Sequence, residues 1–275
     1  MHSIIASPIS SNSSYEHNNS YPRFDQTTYM TLLGKIIQFL ISRPDLQFPI
    51  KWHAHRSALC TTADYEGLKR IIKYIKCTRD YGLTFHRAHT DENNMPFQII
   101  SCTDASYGIH HDSKSQTGSL FFMGSNNGAF CAISHKQTTV ADSSCEAEND
   151  ACCSTTKEII WMRGVMQELG GRYEQKEPNE IASDSQPNIT ISGDYSGNHK
   201  RTKHFMHKVS FLIDNIKTGV IRLQYLPTED MPANMLTKQV SGTELAKFMP
   251  KILGMSPQQN NKRSRYTTMP QDTDH

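Results

Sequence analysis

The sequence predicts an α/β fold, a mixed sheet with helices packed on its faces. Three observations carry that prediction. Three β-prone segments follow one another, the last two joined by a hairpin turn. A long amphipathic helix comes next. Strand and helix then alternate to near the end of the chain. A meander of strands followed by strand–helix alternation favours a mixed sheet over an all-β or all-helical arrangement.

The elements follow in order. Residues 1–24 are rich in Ser and Asn, with few aliphatic side chains after Ile9, and are expected to be disordered. Residues 25–95 predict a small helical segment. Tyr29, Leu32, Leu33, Ile36, Ile37 and Leu40 fall at helical spacing and stop before Pro44. Thr61 and Asp64 are placed to cap a second helix carrying Leu68, Ile71, Ile72 and Ile75. A short strand is expected at 81–85. This segment shows no chemistry of its own and reads as a packing or connector unit. The polar run 91–96 predicts a boundary, with the main domain over 96–254. Its strands are expected at 97–103, 118–123 and 129–134, with a turn over 124–128 that carries Gly124 and Gly128. A strand at 180–183, a helix at 202–217, a strand at 220–226 and helices at 233–238 and 244–253 complete it. The tail over 255–275 is polar and is expected to be disordered.

Totals bound the function. The chain has 275 residues, 36% of them hydrophobic, and a formal net charge of +2. Mean hydropathy is -0.58. That charge is too small to imply nucleic acid by itself. Seven cysteines form no C-x-x-C pair, which argues against a disulfide framework or zinc knuckle and for a reducing compartment. The longest apolar run, 32–41, is broken by Lys35 and Gln38, so no membrane partner is expected. The first ten residues lack a basic start and an apolar stretch of signal-peptide kind, so secretion is not expected.

The long helix over 143–170 organises the rest. Ser143 and Glu146 fit a capping box, and Gly170 and Gly171 supply a stop. Ala151, Thr155, Ile159, Met162, Met166 and Leu169 define one face. That face, extended toward the helix start, meets Glu148. A carboxylate in line with an apolar stripe either sits wet in the first turn or serves a site, because burying an unpaired charge is costly. Asp104 ends the first predicted strand of the domain and Asp184 ends the fourth. Each Asp taken singly fits a turn or cap residue. Strand ends are also where open sheets place ligand-binding groups. Three converging carboxylates need a cation to offset their repulsion, and all-oxygen ligands select a hard ion such as Mg²⁺. His110 and His111 are adjacent, lack Cys or His partners at metal-ligand spacing, and are expected to be exposed.

These residues carry a resemblance. TDASYG at Asp104, AISHKQTTVADSSCEAE leading into Glu148, SDSQ at Asp184, HKRTKH at 199–204 and YLPTEDMPANMLTK at 225–238 stand in one order. In that order they resemble the ribonuclease H domain of copia-type LTR-retrotransposon polyproteins. YMTLLGKIIQFLISRPDL and GLKRIIKYIKCTRDYGLTF resemble the segment that joins reverse transcriptase to that domain. The resemblance covers roughly residues 25–254. It implies a ribonuclease H-like mixed five-stranded sheet with flanking helices, preceded by the connector segment. It also implies a Mg²⁺-dependent endoribonuclease that cleaves the RNA strand of RNA–DNA hybrids. Two ions are expected, with Mn²⁺ able to substitute.

The family's four metal-binding positions match Asp104, Glu148, Asp184 and Asn234, the last an amide where the family has Asp. Met206 replaces a family Asp and Asn149 a family Tyr. An amide keeps a carbonyl oxygen but loses the charge and cannot act as a base. The alternative reading is therefore a catalytically impaired remnant that only binds nucleic acid. Lys200, Arg201, Lys203, His204 and Lys208 form a basic strip without an acid. In isolation it fits a solvated face. Beside a metal site it is expected to hold hybrid phosphates, with His135 and Lys136 adding to it. Expected partners are the RNA–DNA hybrid and the rest of a Pol polyprotein. The expected location is a cytoplasmic virus-like particle or the nucleus.

Overall fold

The computed structural model describes residues 8, 21–86, 98–124, 126–171, 174–193 and 205–255. Five strands form one sheet in the order β3-β2-β1-β4-β5. They are β1 (Ile99–Ser106), β2 (Gln116–Met123), β3 (Ala129–Lys136), β4 (Asn179–Ser183) and β5 (Ile221–Tyr225). β1, β2 and β3 pair antiparallel, while β1–β4 and β4–β5 pair parallel. The sheet is therefore mixed, as expected. Parallel pairs need crossover connections, and helices supply them. The long α4 (Ser144–Leu169) links β3 to β4. Between β4 and β5 lie α5 (Gln186–Gly193) and α6 (Met206–Lys217).

Each face of the sheet has its own apolar core. On one side Ile99, Phe121, Cys152, Ile159, Met162, Ile181, Leu212 and Ile221 pack α4 and α6 onto the strands. On the other side Cys102, Leu120, Phe122, Met231, Leu236, Phe248 and Met249 meet α7 (Gly242–Leu253) and the helical segment. That segment consists of α1 (Gln26–Ile37), α2 (Gln47–His55) and α3 (Thr62–Cys77). Its Tyr29, Leu33, Leu46, Leu68, Ile71 and Tyr74 belong to the same continuous cluster. The connector thus covers one face of the sheet.

Most sequence expectations hold within a few residues. Thr61 and Asp64 form the reciprocal capping box that starts α3, and Ser143 accepts from the Glu146 N–H at the start of α4. The Glu146 carboxylate, however, reaches the N–H of Asp142, one residue before the cap. The α4 stripe also ends sooner than its spacing implies, since Leu169 is 63% exposed.

Other expectations fail for identifiable reasons. Residues 81–85 form no strand. The Thr84 N–H donates to the Leu253 carbonyl and its own carbonyl accepts from Gly128, so its partners are a helix end and a turn. α2 has no counterpart among the sequence expectations: it follows a 3-10 turn opened by Pro44 and carries Pro49 in its own first turn, where Pro is tolerated. α5 carries no clear apolar stripe to announce it. The helix expected at 202–217 starts at Met206, residues 202–204 lying outside the described residues. The helix expected at 233–238 is a 3-10 turn, Pro232–Leu236. His110, expected to be exposed, is buried. It stacks on Trp52 of α2, and its Nε2 pairs with Gln116 Oε1 at 2.8 Å.

Residues 22–24, expected within the disordered end, are tied down. Phe24 stacks on Tyr65, and Arg23 bridges to Thr61. The other expectations for the two ends and for the boundary at 91–96 fall outside the described residues, apart from residues 8, 21 and 255.

Candidate metal centre

Topology brings the three acids together. β1 is the middle strand, and β4 lies beside it in parallel, with Cys102 opposite Ala182. Two residues beyond that rung stand Asp104 and Asp184. α4 lies across β1 and presents Glu148 from its first turns. Seven residues farther along the same helix face, the Thr155 hydroxyl meets the hydroxyls of Thr103 at 3.0 Å and Ser119 at 2.7 Å. This buried trio pins α4 to β1 and β2 beneath Glu148. It also explains how a threonine sits on an apolar stripe, because every buried polar group needs a partner.

One ligand oxygen from each of Asp104, Glu148 and Asp184 lies within 4.8 Å of the other two. Asp104 is 3% exposed and Glu148 8% exposed. Burial raises the Asp104 carboxyl above its ordinary range. Lys238 and the Thr237 hydroxyl oppose that shift, and Asp184 adds to it. Glu148 is raised well above the usual carboxylate range, by burial first and then by the charges of Asp104 and Asp184. Two buried acids driven toward the neutral form, by burial first and by neighbouring carboxylate charge second, are what a cation would reverse.

Each acid has one oxygen held by a donor. The Ala105 N–H donates to Glu148 Oε1 at 3.2 Å, the Thr237 hydroxyl donates to Asp104 Oδ2, and the Thr228 hydroxyl donates to Asp184 Oδ2 at 2.7 Å. Asn234 is 3% exposed, and its Nδ2 donates to the Thr228 carbonyl at 3.0 Å. It thus lies one residue removed from Asp184. Two oxygens, Glu148 Oε2 and Asn234 Oδ1, are buried without a hydrogen-bond partner. Buried unsatisfied oxygens are uncommon and call for an explanation. The three carboxylates form an all-oxygen donor set, and that set fits a hard divalent cation.

The remaining site expectations divide. Lys208 opens α6 and pairs with Asp150 at 3.1 Å, so part of its charge is already offset. Lys200, Arg201, Lys203 and His204 lie outside the described residues. Lys136 pairs with Asp112 at 2.8 Å, and His135 is half-buried with its pKa lowered by burial. Asn149, which the resemblance implies is a departure from a family Tyr, is fully buried, and its Nδ2 donates to Asn188 Oδ1 at 2.8 Å. The amide therefore has a local packing role. Sequence reasoning missed Thr228 and Thr237. Both stand in the stretch that contains Asn234, which was the available signal, but nothing in their spacing marked their hydroxyls as donors to Asp184 and Asp104.

No family model matches the chain. Curated relatives include the retrovirus-related Pol polyprotein from transposon RE2 of Arabidopsis thaliana, 24% identical over 249 residues. That match covers 90% of this chain and 16% of the polyprotein. The Pol polyprotein from transposon TNT 1-94 of Nicotiana tabacum is 30% identical over 214 residues, covering 77% of this chain and 15% of the polyprotein. The chain thus spans about a sixth of the length of these relatives. Among solved structures, LC11-RNase H1 in complex with an RNA/DNA hybrid overlaps 51% of this chain and 94% of its own at 15% identity, with a TM-score of 0.37.

Proposed function

Because the chain belongs to the copia-type retrotransposon Pol family, in the part that corresponds to its ribonuclease H domain, we propose that it is a divalent-metal-dependent endoribonuclease acting on the RNA strand of RNA–DNA hybrids. The observation that carries the proposal is the convergence of Asp104, Glu148 and Asp184 within 4.8 Å. These three, with the Asn234 carbonyl, would hold Mg²⁺, two ions being the proposed complement and Mn²⁺ a substitute. Such ions, when bound, activate a water and stabilise the attacking and leaving oxygens of a phosphodiester.

The chain's own residues have separate tasks. The Ala105 N–H holds one Glu148 oxygen and leaves the other facing a buried, partnerless position. α4 packs on the sheet through Cys152, Ile159 and Met162, which holds in place the helix that carries Glu148. Lys200, Arg201, Lys203, His204 and Lys208 are the proposed grip on hybrid phosphates. Contacts of that kind position a duplex without reading its sequence. Hybrid would be told from DNA by groove shape and the 2′-hydroxyl. The remainder of a Pol polyprotein is the proposed protein partner, in a cytoplasmic virus-like particle or the nucleus.

One observation favours a second reading, a nucleic-acid-binding remnant with impaired cleavage: Asn234 supplies no charge where the family has an acid. A single assay separates the two. Labelled hybrid is incubated with the full chain, with and without Mg²⁺, alongside Glu148→Gln and Glu146→Gln. Glu148→Gln is expected to abolish cleavage with the fold retained. Glu146→Gln keeps the cap contact and is expected to cost at most about 1 kcal/mol of stability. No cleavage by the parent at any Mg²⁺ concentration, with salt-sensitive hybrid binding intact, would select the remnant.

A further inference from the structure

We propose that Thr237 and Thr228 are positioning residues of the metal centre, each holding one aspartate through its hydroxyl, and that Asn234 braces the second of them. The inference rests on the metal-centre reading above.

The geometry is specific to one stretch of chain. After β5 the backbone makes two short 3-10 turns, Thr228–Asp230 and Pro232–Leu236. Thr228 in the first donates to Asp184 Oδ2 at 2.7 Å. Thr237, just past the second, donates to Asp104 Oδ2. Asn234 joins the two turns, its Nδ2 donating to the Thr228 carbonyl at 3.0 Å. The turns therefore act on acids from two different strands at once. They reach the sheet because β2 has Gly118 opposite Asp104. A Cβ at Gly118 would lie 2.7 Å from Leu236 Cβ and 2.7 Å from Thr237 Cγ2.

Chemistry favours a positioning role over a purely structural one. A hydroxyl donor to a carboxylate is charge-assisted and directional, so it fixes the rotation of the carboxylate plane. Thr237 has one proton and two acceptors within reach, Asp104 Oδ2 and the Asn234 carbonyl at 3.2 Å. The charged acceptor wins that competition, and it is also the closer of the two. Outer partners of this kind orient the metal ligands and so tune metal affinity. Thr237 is fully buried, while Thr228 is exposed and competes with water. Thr237 should therefore matter more.

The test uses the full chain and Mn²⁺ alone, with binding followed by calorimetry and by the Mn²⁺ resonance signal. Thr237→Val and Thr228→Val keep shape and remove the hydroxyl, whereas the Ser variants keep it. Thr237→Val is expected to weaken Mn²⁺ binding about 10-fold or more, the range seen when outer partners of metal ligands are lost. Thr228→Val should act in the same direction with a smaller effect, and each Ser variant should restore parental affinity. Because Thr228 is exposed, its Val variant should fold even if the Thr237 variant does not. Val variants that bind Mn²⁺ as the parent does would overturn the assignment, whatever happens to their melting temperature. A parent that binds no Mn²⁺ would instead bring down the metal-centre reading, and this inference with it.

Discussion

At the residue scale Asn234 is the decisive position, because its amide does two things that pull in different directions. Its N–H braces Thr228, which no carboxylate could do, and its carbonyl sits buried without a partner. Asn234→Asp would lose the brace, a neutral hydrogen bond of about 1 kcal/mol. It would also add a fourth carboxylate to an already crowded cluster. Like charges brought together in a metal-free, buried cluster repel one another. The same added charge favours the variant once a divalent cation is present. The metal-free variant is therefore expected to melt lower than the parent, and Mg²⁺ to raise its melting temperature by more. Thermal melts across a Mg²⁺ titration check this. A variant whose melt is indifferent to Mg²⁺, beside a parent that responds, would remove Asn234 from the metal's surroundings.

Among the elements, the contact between β2 and the Pro232–Leu236 turn holds the site together. Gly118 is there because nothing larger fits, its would-be Cβ also meeting the Ala233 carbonyl at 3.0 Å. Backbone cannot yield as a flexible side chain can. Gly118→Ala should therefore push the turn off the strand at a cost of about 1–3 kcal/mol, as overpacking usually does. Since Thr237 rides on that turn, metal affinity should fall together with stability. Urea unfolding and Mn²⁺ binding on the same variant test the link. Lost stability with parental Mn²⁺ affinity would mean that the turn and the site are independent. The Thr103–Ser119–Thr155 hydroxyl trio plays the matching part on the α4 side, fixing the helix that carries Glu148.

For the whole molecule, the helical segment and the sheet share one core. Tyr29, Leu33, Leu68, Ile71 and Tyr74 lie in the same cluster as Leu120, Phe122, Leu236, Phe248 and Met249. A chain reduced to residues 98–255 would expose much of that face. Full burial of one large apolar side chain is worth about 1.5–3 kcal/mol, and a whole domain has only about 5–15 kcal/mol to lose. The shortened chain is expected to aggregate or to melt without cooperativity. Size-exclusion chromatography and a urea transition would show it. A cooperative transition at the parent's midpoint would mean that the sheet and α7 are self-sufficient.

By itself the sequence determined the order of the five sheet strands and of the helices α1, α3, α4, α6 and α7, the caps at Thr61 and Ser143, and the three acids Asp104, Glu148 and Asp184. Those features are local. A cap is three residues long, a strand declares its period within eight, and an acid at a strand end is visible without knowing its neighbour. The resemblance then ordered them into one site. What only the tertiary structure decided is non-local. His110 is buried because α2 lays Trp52 on it, and residues 81–85 bond a helix end and a turn in place of a strand. Asn149 has a partner in Asn188, on a helix the pattern did not announce. Thr228 and Thr237 reach carboxylates 44 and 133 residues away in the chain. No periodicity encodes such a contact. It exists because Gly118 lets a turn press onto the sheet, and because the strand order sets Asp104 beside Asp184.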